Sequence, residues 1–146
     1  MAKHREILDA VYARIVSLGL SGIPAANILE RKIPLDRNLD SPPYVFVCQV
    51  GNEVEYPGSI GADDFGFPVL VVMVSASNQD NAVSDTELTW REAVTNAFHN
   101  KRLPNVASVW RCVVEHATII DPNWFRDGNL TLSQLTVRAI SRRVRT

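Results

Sequence analysis

Only two cysteines, Cys48 and Cys112, occur among the 146 residues, and no C-x-x-C pair is present, so neither a disulfide framework nor a cysteine zinc site is encoded. Both lie far apart in apolar runs, which predicts buried, reduced thiols. Long apolar stretches are also missing. Phe67 to Val74 is the longest, far short of the roughly 20 residues that span a bilayer, and no membrane partner is expected. Neither sign of charge dominates: 15 Lys and Arg against 16 Asp and Glu leave a formal charge of -1. That balance gives no whole-molecule field to hold a polyanion by counterion release, so DNA is expected to make at most passing contact. The opening Met1-Ala2-Lys3-His4-Arg5-Glu6 is charged where a secretory signal has an apolar core, and synthesis in the cytoplasm is the expectation.

Motifs for catalysis are equally sparse. His4, His99 and His116 are widely separated and make no H-E-x-x-H or comparable ligand pair. His99, near a predicted helix end, is expected to meet the last carbonyls of that helix. Asp64-Phe65-Gly66 copies the metal-binding tripeptide of protein kinases, but the Gly-rich loop and catalytic-loop motifs that give it meaning are absent. Asp63 and Asp64 read as turn residues, and no phosphate-cradling glycine motif occurs. No catalytic, cofactor-binding or metal-ligating residue is assigned, and no cofactor is expected.

What the sequence does contain is an ordinary globular composition, 46% hydrophobic and 21% charged, at a length suited to one domain covering residues 1–146. Ile7, Leu8, Val11, Ile15 and Leu18 recur at helical spacing, predicting a helix from Lys3 to Leu18 that Gly19 and Gly22 stop. Ser21 to Pro43, with four prolines, reads as a long, partly ordered connection. Tyr44 to Val50 and Phe67 to Ser75 read as strands, and Gly51 to Gly66 between them as a long exposed hairpin loop. Val83-Ser84-Asp85-Thr86-Glu87-Leu88 has the pattern of a capping box with a hydrophobic staple. It predicts a helix running to about Asn100 that buries Trp90, Val94, Ala97 and Phe98. Val109 to His116 reads as a strand with Trp110, Cys112 and Val114 on one face, and Leu130 to Val144 as a long last strand. The expected fold is therefore α+β in the order α-β-β-α-β-β, a four-stranded, mainly antiparallel sheet with helices packed on one face.

The first two strands are apolar on both faces, and two helices cover only one. Either the Ser21 to Pro43 connection or another subunit is expected to cover the second. Elsewhere two features read as contact surfaces: the aromatic pair Trp124-Phe125 in a polar loop, and the basic run Arg138, Arg142, Arg143 and Arg145. The arginines could equally be a solvated edge that discourages strand pairing.

The last strand, Leu130-Thr131-Leu132-Ser133-Gln134-Leu135-Thr136-Val137-Arg138-Ala139-Ile140, resembles the closing strand of tailed-bacteriophage tail terminator and tail-to-head joining (tail completion) proteins. The likeness in layout covers nearly the whole chain: leading helix, long-looped hairpin, capped second helix, closing strand pair. It implies a non-enzymatic virion protein that forms a cyclic homo-oligomer, a hexamer, at the head-proximal end of a tail. Such a ring ends tube growth and joins tail to neck, with tail tube protein and head-completion or neck proteins as partners. By position Gly51 to Gly66 would be a subunit-contact loop. Glu53, Glu55, Tyr56 and Phe65 are then interface candidates, together with Trp124, Phe125, Arg138 and Arg142. The alternatives are another neck or head-completion protein, or a small α+β ligand-binding or enzymatic domain with Asp63 or Asp64 near His116.

Overall fold

The computed structural model describes residues 3–32, 43–56, 62–76, 85–116, 119 and 130–144. Helix α1, Lys3–Leu18, buries Ile7, Leu8, Ala10, Val11 and Ile15 along one stripe. It ends at Gly19, whose φ of 59° lies in the left-handed region open to glycine, with its N–H 3.3 Å from the Val16 carbonyl. Helix α2, Asp85–Phe98, buries Trp90, Val94, Ala97 and Phe98, as its periodicity predicts. Val83 and Ser84 of the capping motif lie outside the described residues. Glu87 of that motif is buried against the sheet, where its Oε1 accepts a hydrogen bond from Ser75 Oγ. Four residues on, Arg91 is also buried and donates to Ser133 Oγ at 3.0 Å and to the Gln134 carbonyl at 2.6 Å. Polar groups on the inner face of α2 thus hydrogen-bond to the strands they cover, which offsets their desolvation.

The sheet corrects the expected one: the described residues form six strands rather than four, and the sheet is mixed. After a 3-10 turn at Ala25–Asn27 come β1 (Ile28–Arg31), β2 (Tyr44–Cys48), β3 (Val54–Tyr56) and β4 (Ala62–Ala76). Beyond α2 follow β5 (Val109–His116) and β6 (Leu130–Val144), giving the order α-β-β-β-β-α-β-β. The strands lie β1-β2-β4-β6-β5, with β3 paired to β4 beyond the end of β2. Strand β1 runs parallel to β2, Ile28 opposite Val45 and Arg31 opposite Cys48, and the Gln49 N–H continues the pairing to the Arg31 carbonyl at 3.3 Å. Four residues among prolines carry too little periodicity to mark a strand within the expected connection, and pairing with a distant strand is what makes them extended. The same holds for β3 and the start of β4. Val54, Glu55 and Tyr56 stand opposite Gly66, Phe65 and Asp64, so both sides of the expected exposed loop are paired strand.

Strands β4 and β6 pair without interruption from Ala62–Val144 to Ala76–Leu130, a ladder about 50 Å long at ~3.4 Å per residue. Side chains alternate across it. Val45, Val47, Val69, Val71, Met73, Leu135, Val137 and Ala139 pack with both helices. Phe46, Cys48, Val72, Val74 and Leu132 form a second cluster, bordered by Leu29, Tyr44, Val50 and Leu70. Phe46, Cys48 and Val72 have no solvent exposure within the single chain, so no second subunit is needed to cover this apolar face. Cys48 belongs to the second cluster and Cys112 to the first; both are free. Burial pushes each thiol up to about 11.

Strand β5 ends the sheet on one side, and residues just after α2 close that edge. The Asn100 N–H donates to the Cys112 carbonyl and the Cys112 N–H to the Lys101 carbonyl, both at 2.8 Å. The Val114 N–H donates to His99 Nδ1 at 3.1 Å. His99 therefore meets the neighbouring strand rather than the last carbonyls of its own helix, and the ring must hold its proton on Nε2.

Candidate assembly surface

At the end of the ladder farthest from the second apolar cluster, β3, β4, β6 and β5 lie side by side. Register places Tyr56 opposite Asp64 and Asp64 opposite Arg142, with Gly66 and Ile140, then Pro68 and Arg138, continuing the row. These residues share the face turned away from the helices. Arg142 Nε lies 3.1 Å from Asp64 Oδ1, and its Nη2 lies 3.4 Å from Oδ2. Arg138 Nε donates to Glu115 Oε1 at 2.5 Å, while its Nη1 donates to the Asn52 carbonyl at 2.9 Å. Hydrogen bonds to these carboxylates hold both guanidiniums above their ordinary pKa. Gly66 leaves room for this crossing: a Cβ there would sit 2.8 Å from Arg138 Cδ and 3.2 Å from Tyr56 Cε2.

Beside them Trp110 is turned outward. The β5–β6 register shifts between Val109 and Arg111, and this bulge takes Trp110 off the buried face that strict alternation with Cys112 and Val114 predicts. Its indole is 37% exposed, with the Arg111 and Arg142 guanidiniums 5.7 and 5.2 Å from the ring centroid. A shallow cavity of about 310 Å³ opens here, walled by Tyr56, Trp110, Arg111 and Arg138.

The helix side of the same end holds a larger groove of about 600 Å³, floored by the half-buried Phe65 and Phe67 and walled by Ser108, Ser141 and Arg142, the last with its charge paired to Asp64. Lys3 and Glu53 lie on its margin. His4 ties α1 to it: its Nε2 donates to the Pro68 carbonyl at 2.9 Å, and its ring centroid is 5.8 Å from that of Phe67. Glu55 stands directly opposite Phe65, on this face.

The fold thus brings Glu53, Glu55, Tyr56, Phe65, Arg138 and Arg142 together at one end of the sheet, split between its two faces. Trp124 and Phe125 lie outside the described residues. Trp110 and Arg111 were missed, because nothing in the local sequence marks a bulge. The imagined enzymatic grouping does not form: Asp64 registers with Arg142 and His116 with Leu135, seven positions or about 24 Å apart along β6. Among the described residues no three His, Cys, Asp or Glu gather as a metal site, and no helix is long and apolar enough to cross a membrane.

No family model matches this chain, and no curated protein matches it. Its fold does recur among solved structures. One chain of the virion of the native gene transfer agent (GTA) particle superposes with a TM-score of 0.51 over 93% of this chain and 94% of its own length, at 15% identity. The likeness is one of fold.

Proposed function

We propose that this chain is a structural virion protein of a phage-like particle, acting as one domain and without enzymatic activity. In this reading six copies close into a ring at the head-proximal end of a tail, end tube growth and join the tail to the neck. The observation that carries it is the near full-length fold correspondence with a chain of a gene transfer agent virion. The chain is made in the bacterial cytoplasm and then enters the particle. Its partners are further copies of itself, tail tube protein below and head-completion or neck proteins above.

Burial of Phe46, Cys48 and Val72 within one chain removes the uncovered apolar face as a motive for a ring. The ring rests instead on the hairpin end, where exposed aromatics and charges crowd both faces of the sheet. Arg138 and Arg142 are already paired with Glu115 and Asp64, so DNA passing through the lumen would meet largely neutralised groups. Electron microscopy of purified particles tests the reading: six-fold density of this chain is expected where tail meets head. Absence of the chain from particles, or a single copy in them, would sink it. A ring on the head side of the joint would favour the head-completion role.

A further inference from the structure

The two faces of the hairpin end are unlike each other in charge and shape. On the outer face the β5 bulge lifts Trp110 into a partly exposed knob, and Arg111 lies over its ring without a carboxylate partner among the described residues. Arg142, the other cation on that ring, is already paired with Asp64. On the helix face the groove over Phe65 and Phe67 has a margin where Lys3 is paired with Glu6 at 3.0 Å. Glu53 there has a 59% exposed side chain, with His4 Nδ1 4.0 Å from its Oε1. Glu55 is exposed beside it. Among the described residues, one face therefore presents an aromatic knob with a cation that has no carboxylate partner, and the other an aromatic-floored groove whose carboxylates have no Lys or Arg partner.

We infer that two copies of this chain meet head to tail at the hairpin end, the Trp110–Arg111 knob of one copy seating in the Phe65–Phe67 groove of the next, against Glu53 and Glu55. This inference rests on the ring reading above and gives it a specific contact. Knob and groove lie on opposite faces of one sheet, so a single copy cannot satisfy both from within. A contact between unlike surfaces is heterologous and repeats from copy to copy, which is the geometry a closed ring requires. Trp and Arg are the side chains that most often dominate such contacts when a partner removes them from water. The facing glutamates supply the complementary charge, and mismatched charge there opposes association.

Charge reversal in the full chain tests this. Arg111→Glu alone, and Glu53→Arg with Glu55→Arg, should each weaken self-association by roughly tenfold or more in sedimentation equilibrium, and all three together should restore it. A second arm uses bis-maleimide cross-linking of a chain carrying Arg111→Cys and Glu53→Cys, since Cys48 and Cys112 are buried. A ladder of multimers is expected from that chain, and dimers at most from a mixture of the two single variants. Wild-type chain that stays monomeric at millimolar concentration, together with no ladder from the double-cysteine chain, would overturn the inference, as would reversals that combine without rescue. A ladder in solution together with absence from particles would leave the contact standing and remove the virion reading. A particle ring whose neighbours do not cross-link at these positions would do the reverse.

Discussion

From Val71 to Ser75, strand β4 buries every side chain on both faces of the sheet, whereas from Asp63 to Phe67 the same strand fully buries only Gly66. The pairing with β6 is unbroken across both stretches. What differs is what the side chains meet: helices on one face and one another, in the Phe46 cluster, on the other for the first stretch, partly open surface for the second. A continuous ladder thus joins a packed half to a half whose side chains are partly open. In the proposed assembly, stability and association are separated along one pair of strands.

The largest expected effect breaks the packed half. Phe46→Ala removes a fully buried ring and should cost about 3–5 kcal/mol in urea unfolding, while Phe65→Ala, half-buried in the groove, should cost less than half of that. Equal losses would show that the two halves are not different in kind. Alkaline titration sharpens the same contrast. With both thiols pushed to about 11, an unfolded chain releases its thiol protons first, so stability should fall as pH rises from about 9 to 11 and be insensitive to these groups below that window. Unfolding of Cys48→Ala and Cys112→Ala variants across that range should show a shallower fall, by about 2 kcal/mol per thiol at the upper end.

Smaller effects belong to the hairpin half. Gly66→Ala would press a Cβ against Arg138 and should cost about 1–2 kcal/mol, relieved when Arg138→Ala is added, a coupling that a double-mutant cycle reads directly. Least of all, Arg142→Ala should leave the unfolding midpoint where it is, because its pair with Asp64 is solvent-exposed. Any loss should appear in sedimentation, as weaker self-association.

Much of the packed half was legible in the sequence, because burial imposes periodicity. The stripe of α1, the limits of β6 and the opposed faces of β2 and β4 follow from apolar spacing alone. The hairpin half was not legible for the converse reason. Val54 to Tyr56 and Ala62 to Gly66 are extended because backbone partners lie beside them, while their glycines and acids read as loop. Strand β1 was hidden in the same way. At the candidate surface, residues chosen by position in a supposed loop do gather in space. Trp110 could not be placed, since a one-residue bulge inverts the side a side chain takes and leaves no mark in composition.

The edge of β5 has a consequence for how copies can multiply. With Cys112 held on both its N–H and its carbonyl by Lys101 and Asn100, and the Val114 N–H held by His99, the middle of this rim offers another chain no free backbone run to zip onto. Backbone zippering is indifferent to identity and has no natural end, which is how fibrils grow. Closing the rim leaves recognition on this side to side chains, which distinguish one surface from another and fix an angle between neighbours. If copies assemble as proposed, closing this stretch of rim disfavours endless stacking and suits a countable number of copies.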